Sequence, residues 1–204
     1  MAAIPLTTPM FVRQSFIKGA ASQTGDDNFI ASLIGAFSGS GDPTALSGFE
    51  SYCDRVFPFA EYTEYLSSDG GTQRLFVYGY PISTAEIWID SQYTWGANTK
   101  LAATDFVIDP TGLPIITLRG GGTFSAGQGH IKVKYFGGLI TSDQMVPSVL
   151  ALACAMQVAH VYQGRNRLGI SGESSSSSSV SMYSEGTYLP QVKEILSSFV
   201  RHIM

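Results

Sequence analysis

The sequence predicts an α+β fold, in which helices form a bundle and an antiparallel β-block, a sandwich or open barrel, is inserted between them. Three observations support this fold class. Apolar residues recur at helical spacing in residues 26–57, the period changes to two in residues 61–136, and helical spacing returns in residues 147–164. We therefore predict one main domain over residues 25–165, with a further amphipathic helix at the C-terminus.

The N-terminal part of the chain is predicted to be an arm followed by a helical hairpin. Residues 1–24 hold two prolines and few periodic apolar positions, so we expect an extended arm. Asp26 and Asp27 stand where the first turn of a helix favours acids, and an apolar stripe follows in residues 29–37. A second helix is predicted over residues 42–57.

The β-block is predicted from alternating apolar residues and from turn signals rich in Gly, Pro and Asp. The predicted strands are residues 61–66, 74–77, 86–90, 105–108, 115–118 and 130–135. Aromatic residues recur through this region: Tyr62, Tyr65, Tyr78, Tyr80, Trp88, Tyr93 and Trp95. We interpret them as cross-strand packing, since the sequence around them shows no interleaved Arg or Lys that would indicate a stacking platform for bases.

The helix predicted over residues 147–164 is more densely apolar than one buried face requires. We expect part of it to contact an identical neighbouring subunit. The predicted ring-contact residues are Leu150, Leu152, Met156 and Val161.

A serine-rich segment separates this helix from the C-terminus. Residues 166–188 include six consecutive serines and are predicted to be a flexible loop, because they cannot bury enough apolar surface. Residues 189–204 form the predicted docking helix, an amphipathic element suited to a groove on a partner. Packing on its own domain is the alternative. The predicted docking residues are Leu189, Val192, Ile195, Leu196, Phe199, Val200 and Arg201.

The composition is poor in charge. Charged residues make up 14% of the chain and the net charge is −4, against the about 25% charged residues that are usual. Either Ser, Thr, Gly and Tyr dominate the surface, or much of the surface lies in subunit contacts. A basic stripe typical of sequence-specific nucleic-acid binders is absent from the sequence.

No motif in the sequence indicates catalysis, a cofactor or a metal, so we predict that the protein is not an enzyme. The three histidines have no ligand-spaced partners, and Cys53 and Cys154 belong to no Cys/His cluster, so we expect two reduced, buried thiols. A small hydrolase with a Ser/His/Asp triad is kept as an alternative hypothesis, although no motif locates such a triad. Neither a secretory signal nor a membrane span is predicted.

Several strings, in their order along the chain, resemble the head–tail connector (adaptor) proteins of long-tailed phages and gene-transfer agents. The paired helices of residues 27–34 and 49–57 resemble the family's acidic start and its Y-C-x-R-x-F helix end. Residues 101–109 are similar to its L-x-x-x-D-Y-x-x-D strand entry. Residues 131–138 are similar to its I-x-V-x-Y-x-x-G strand, and residues 146–153 match the V-P-x-x-L-x-x-A that follows.

The resemblance covers about residues 26–165 and implies a mechanical function in the virion neck. Such adaptors form a ring, commonly of twelve subunits, between the portal and a stopper or tail-completion protein, and DNA passes through the ring without sequence-specific binding. A C-terminal segment often docks on the portal. The resemblance thus implies assembly in the host cytoplasm and no membrane partner. Another virion interaction module, a tail-completion or head-decoration protein, is the alternative.

Overall fold

Five α-helices and two three-stranded antiparallel sheets form most of the chain that the structure describes, which confirms the α+β fold class. This computed structural model describes residues 4–17, 24–141, 143, 145–165, 174–175, 178–179 and 188–201. The helices are α1 (Pro9–Phe16), α2 (Asp27–Ser38), α3 (Gly48–Cys53), α4 (Ser148–Gly164) and α5 (Pro190–Ser197). The strands are β1 (Ala60–Asp69), β2 (Arg74–Phe76), β3 (Ile82–Ile89), β4 (Phe106–Ile108), β5 (Ile115–Leu118) and β6 (Ala126–Gly137), with the two-residue strands β7 (Ser174–Ser175) and β8 (Ser178–Ser179).

The helices share one apolar core, in which α4 is the central element. It packs against α1, α2 and α5, while α3 packs against α2 and α5. Leu150, Cys154 and Val158 of α4 are fully buried there together with Phe49 of α3. Three neighbouring helices therefore cover most of the apolar surface of α4.

The prediction of an extended arm over residues 1–24 is wrong at α1. The Thr8 hydroxyl accepts a hydrogen bond from the Phe11 N–H at 3.2 Å and caps the helix, and Pro9 occupies its first turn. Val12 is then buried in the helical core, as is Leu6 before the helix. Burial of these side chains stabilises a short helix that would be marginal alone.

The second predicted helix, residues 42–57, is shorter in the structure and begins only at Gly48. Side-chain hydrogen bonds hold the preceding residues in turns: the Asp42 carboxylate accepts from the Thr44 N–H at 2.8 Å. The fully buried Glu50 carboxylate accepts from the Gly41 and Phe57 N–H groups, each at 2.8 Å. This buried acid ties the turn to the entry of the β-block.

Two sheets share a second core, so the predicted antiparallel β-block is present. One sheet has the order β1-β6-β3 and the other β2-β5-β4. Both contribute buried side chains to the same cluster, among them Ile87, Val133 and Ile116. Strands alternate between core-facing and outward-facing residues, and in β6 Ile131, Val133 and Tyr135 point to the core.

Part of the predicted serine-rich loop lies outside the described residues. Within residues 166–188, the structure describes the antiparallel pairing of β7 with β8 and residue 188. Residues 202–204 of the predicted docking helix also lie outside the description, and α5 ends at Ser197.

Candidate assembly surfaces

The predicted ring-contact residues divide between the core and the surface of α4. Leu150 is fully buried, so its predicted contact with a neighbour is corrected to a core role. Met156 is half-buried and packs partly against the helical core, and Val161 is half-buried. Leu152 is 36% exposed. The predicted apolar surface that the subunit itself leaves uncovered is therefore present on only one side of α4, the side that carries Leu152.

One exposed residue that the sequence analysis missed extends this side of α4, and a second precedes the helix. Val149 lies one turn before Leu152 and is 49% exposed, and Met145 before the helix is 69% exposed. We call Met145, Val149 and Leu152 the helical apolar face. No Lys or Arg occurs between Lys134 and Arg165 in the sequence, so this face lies in a stretch without cations.

The C-terminal helix packs on its own subunit, which is the alternative considered for it. Val192 and Leu196 are fully buried against α3 and α4, and the Leu189 N–H donates to the Gln157 side-chain oxygen at 3.0 Å. The predicted docking role of Val192 and Leu196 is therefore corrected to a core role. Three other predicted docking residues, Leu189, Ile195 and Phe199, are half-buried and pack against the same core, and Val200 is half-buried.

Arg201, also predicted to dock on a partner, instead lies between the two cores of its own chain. Its guanidinium donates to the Asp54 carboxylate at 2.6 and 3.0 Å and lies 4.0 Å from the centre of the Tyr78 ring. Its backbone N–H donates to the Cys53 carbonyl at 2.8 Å. The planar guanidinium of an arginine suits this buried position, because it can pair with a carboxylate through two N–H groups and stack on an aromatic ring at the same time.

Arg201 belongs to a group of buried and half-buried polar residues where the two cores meet. We call this group the seam cluster: Asp54, Arg55, Glu64, Tyr78, Tyr80, Tyr135 and Arg201. The Tyr135 hydroxyl donates to the Glu64 carboxylate and accepts from the Gly79 N–H at 2.8 Å. Burial raises the pKa of Glu64, and the bonds from the Tyr135 hydroxyl and the Tyr78 N–H lower it less.

Aromatic rings and lysines meet on the outer face of the β1-β6-β3 sheet. Tyr65 and Trp88 both pair in register with Lys132 of the central strand, so the three side chains form one row. The Lys132 ammonium lies 5.0 Å from the centre of the Trp88 ring and 5.9 Å from that of Trp95. The Lys100 ammonium lies 5.1 Å from the centre of the same Trp88 ring, and it forms an ion pair with the Glu86 carboxylate at 2.5 Å.

These contacts correct the interpretation of the aromatic residues. Tyr62 and Tyr80 are buried as predicted, but Tyr65 is 58% exposed and Tyr93 is 56% exposed. Lysines distant in sequence are interleaved with the outward-facing rings. We call this surface the sheet platform: Tyr65, Trp88, Tyr93, Trp95, Lys100 and Lys132.

A strained loop holds two rings of the sheet platform in place. Tyr93 and Trp95 have φ angles of 57° and 53°, which bulky residues rarely adopt. The Asp90 carboxylate accepts from the N–H groups of Gln92, Thr94 and Trp95 at 2.8–2.9 Å, and from the Thr94 hydroxyl at 2.8 Å. The Thr94 hydroxyl and these N–H groups lower the pKa of Asp90, so the carboxylate keeps its charge.

A serine–histidine pair is present, but no acid among the described residues orients it. The Ser125 hydroxyl oxygen lies 3.3 Å from Nε2 of His130, and Nδ1 of this buried histidine has no hydrogen-bond partner among the described residues. A triad would need a carboxylate at Nδ1. Within the described ranges, no three His, Cys, Asp or Glu side chains are grouped as metal ligands. That the protein is not an enzyme stays a prediction.

The two cysteines are buried thiols. Burial raises the pKa of both Cys53 and Cys154 to about 12, so neither is a reactive thiolate at neutral pH. Among the helices that the structure describes, none is long and apolar enough to cross a membrane.

Two solved structures resemble the chain over nearly its whole length. One is a chain in the virion of a native gene transfer agent (GTA) particle, with a TM-score of 0.59, 16% identity, and coverage of 99% of this chain and 91% of that chain. The other is a chain in the neck of an empty GTA particle computed with C6 symmetry, with a TM-score of 0.55, 16% identity, and coverage of 100% and 95%. The chain has the fold of proteins in these particles.

The likeness to these structures agrees with the fold that the resemblance to connector proteins implies. The sequence matches no protein-family model and no curated protein sequence.

Proposed function

We propose that this protein is a structural adaptor subunit of the neck of a tailed phage or phage-like particle. It forms a ring between the portal and a stopper or tail-completion protein, and DNA passes through the channel of the ring. One observation carries the proposal: the fold matches a chain of a GTA neck over 100% of this chain and 95% of the other. The order of motifs in residues 26–165 supports it independently.

A closed ring agrees with the symmetry of that neck. The GTA neck was computed with C6 symmetry, which six copies or a multiple of six satisfy. Twelve copies, the number that the resemblance to connector proteins implies, fit this symmetry. A subunit with an exposed apolar face on α4 would leave that face in water as a monomer and bury it in a ring.

The charge of the chain suits a passage for DNA. With a net charge of −4, a ring of identical subunits is acidic overall. Tight binding to DNA needs many phosphate contacts from Lys and Arg, so such a ring would let DNA move through it. The function is therefore mechanical, with no cofactor and no catalytic step, and the protein would be made in the host cytoplasm and reside in the virion neck.

Particles purified from cells that produce the protein test this proposal. We expect mass spectrometry to find the chain in intact particles, and cryo-EM of the neck to show a ring of this fold between portal and tail. A chain that is absent from the particles would contradict the proposal. A matched sample from cells that lack the gene should hold filled heads without attached tails.

A second candidate is another interaction module of the virion, a tail-completion or head-decoration protein. The match to a chain of a whole GTA virion favours it, since that description is wider than the neck. Cryo-EM separates the two candidates by position. Density for this fold below the adaptor ring or on the head surface would favour the second.

A further inference from the structure

We propose that the sheet platform is one half of the contact between neighbouring copies of this chain, and that the helical apolar face of the next copy is the other half. The inference rests on the proposed ring. A closed ring of more than two copies is built from head-to-tail contacts, so each subunit must present two different surfaces that fit each other. The described part of the chain exposes apolar residues on both cores, and one surface on each core is a candidate.

The first surface is held ready for contact. Tyr93 and Trp95 are kept in left-handed backbone conformations by the Asp90 carboxylate, and their rings contact each other with centres 5.9 Å apart. Tyr65 joins them at 5.5 Å from Trp95. Backbone strain of this kind is maintained where a surrounding structure over-determines it, and it clusters at binding sites.

Packing within the sheet accounts for only part of this arrangement. It explains why Lys132 lies over Trp88, since cross-strand neighbours in one register make such contacts. The Tyr93 hydroxyl donates to the Gln128 carbonyl at 2.8 Å, but this bond does not explain why Tyr93 and Trp95 both have left-handed φ angles and why Tyr93 stays 56% exposed. Rigid Tyr and Trp side chains at low entropy cost are typical of the residues that dominate protein interfaces.

Charge favours a second copy as the occupant of the platform. The sheet face carries three of the five lysines of the chain, Lys100, Lys132 and Lys134. Lys100 and Lys134 are paired with Glu86 and Glu61, whereas no carboxylate of the described residues forms an ion pair with Lys132. Lys132 therefore leaves a positive charge for the occupant to meet, and a second copy of this chain, whose net charge is −4, is an acidic occupant.

The helical apolar face complements the platform. Met145, Val149 and Leu152 are exposed and lie in a stretch of 30 residues between Lys134 and Arg165 that has no Lys or Arg, so no Lys or Arg of that stretch would oppose Lys132. Methionine makes favourable contacts with aromatic rings, and the aliphatic side chains supply apolar area. Rings and lysines on one side would then meet an apolar surface that is flanked by the exposed Asp143, an acid that would complement Lys132.

Thiol cross-linking tests this pairing, because the buried native cysteines do not compete. Gln92→Cys places a thiol beside the platform rings, and Ser148→Cys places one beside Val149; both positions are exposed. Particles or purified rings assembled from the double variant are treated with a short bismaleimide. We expect a ladder of cross-linked species larger than dimers, and equal mixtures of the two single variants should give dimers.

The controls separate failure of the inference from failure of the proposed function. Each single variant alone should give no cross-link, and Gln92→Cys with Gln191→Cys on the exposed side of α5 should give none. A dimer from Gln92→Cys alone would mean that the platform meets its own copy, and an adduct with another virion protein would name a different partner. Either result, or unlinked chains within intact rings, overturns the inference and leaves the ring standing. A chain that never enters rings or particles refutes the proposed function itself.

A second measurement does not depend on the reach of a cross-linker. Trp95→Ala should weaken self-association by about tenfold or more in sedimentation, as expected of a central interface residue. Phe136→Ala serves as the matched control, because Phe136 is exposed on the same sheet but lies two register rows from Lys132. Equal self-association of the two variants would overturn the inference.

Discussion

Two clusters in which cations lie over aromatic rings differ in burial: the seam cluster lies where the two cores meet, and the sheet platform lies on the outer face of the β1-β6-β3 sheet. In the seam cluster, the guanidinium groups of Arg55 and Arg201 lie 3.5 and 4.0 Å from the rings of Tyr80 and Tyr78, and both arginines are buried. On the sheet platform, Lys132 lies 5.0 Å from Trp88 and remains half-exposed. The contacts are of one chemical kind, but only those of the seam are enclosed.

This difference shows how one kind of contact serves two purposes. A buried arginine must satisfy its donors, and Arg201 does so with Asp54 and the Val77 carbonyl, which joins the two cores. An exposed lysine over a ring adds only about 0.5–1 kcal/mol. The seam therefore stabilises the subunit, whereas the platform keeps rings available for a partner.

The largest predicted contrast is between two tyrosines of the same sheet. Tyr135→Ala should lower the free energy of unfolding by about 3–5 kcal/mol, because it empties a fully buried site and removes the hydroxyl that binds Glu64. Tyr65→Ala, on the platform, should lower it by less than about 1 kcal/mol. Urea unfolding measures both values. Similar losses in the two variants would refute the contrast.

Removal of Arg201 from the seam cluster should also destabilise the protein more than removal of Lys132 from the sheet platform, but the difference should be smaller than that between the two tyrosines. Arg201→Ala should lower the free energy of unfolding by about 2 kcal/mol, since charge-assisted bonds to Asp54 are lost. Lys132→Ala should change it by less than about 1 kcal/mol but weaken self-association. Arg201→Lys is the control: it keeps the charge and loses the fork, so full recovery of stability would contradict the argued role of the fork.

The pH dependence of stability should differ in sign between the two regions. Burial raises the folded pKa of Glu64, so its contribution to stability is fully present below its unfolded pKa of about 4.5 and is lost as the pH rises through the folded pKa. The hydrogen bond from Lys100 lowers the folded pKa of Glu86, so its contribution is present above about 4.5 and is lost as the pH falls.

Two Gln variants isolate these contributions. As the pH rises from 4.5, the unfolding free energy of the wild type should fall relative to that of Glu64→Gln. Below that pH, the wild type should lose stability relative to Glu86→Gln. Urea titrations across this range measure both differences. Parallel curves for the wild type and Glu64→Gln would show that the seam carboxyl has no raised pKa.

Local pattern was sufficient to predict the strands and the longer helices. The strand β5 has the predicted bounds, and α2 begins one residue after the predicted start, because alternation and helical spacing report directly on which side of an element is buried. α1 was missed although Thr8, Pro9 and Val12 carry its cap, first turn and buried face. Two prolines were interpreted as an extended arm, but Pro9 stands where a helix accepts one.

The candidate surfaces required the tertiary structure. Alternation places Tyr65, Trp88 and Lys132 on an outward face, but only the strand register shows that they share one row. The apolar stripe of α5 is equally suited to a partner groove and to its own core, and the burial of Val192 decides for the core. The sequence does not indicate the buried role of Arg201, because its partners Asp54 and Tyr78 are more than 100 residues away along the chain.

The smallest predicted effect on stability tests the strain of the platform directly. At Tyr93, with φ of 57°, glycine avoids the steric cost that any other L-residue pays, about 1 kcal/mol. Tyr93→Gly should therefore be as stable as Tyr93→Ala or more stable by up to about 1 kcal/mol, although glycine gains more entropy on unfolding. At Gln92, whose φ is not left-handed, the same exchange of Ala for Gly should lower stability.

Both Tyr93 variants should lose self-association equally, because both lack the ring. If Tyr93→Gly were clearly less stable than Tyr93→Ala, the loop would not be strained, and the platform would lack the feature that separates it from the seam.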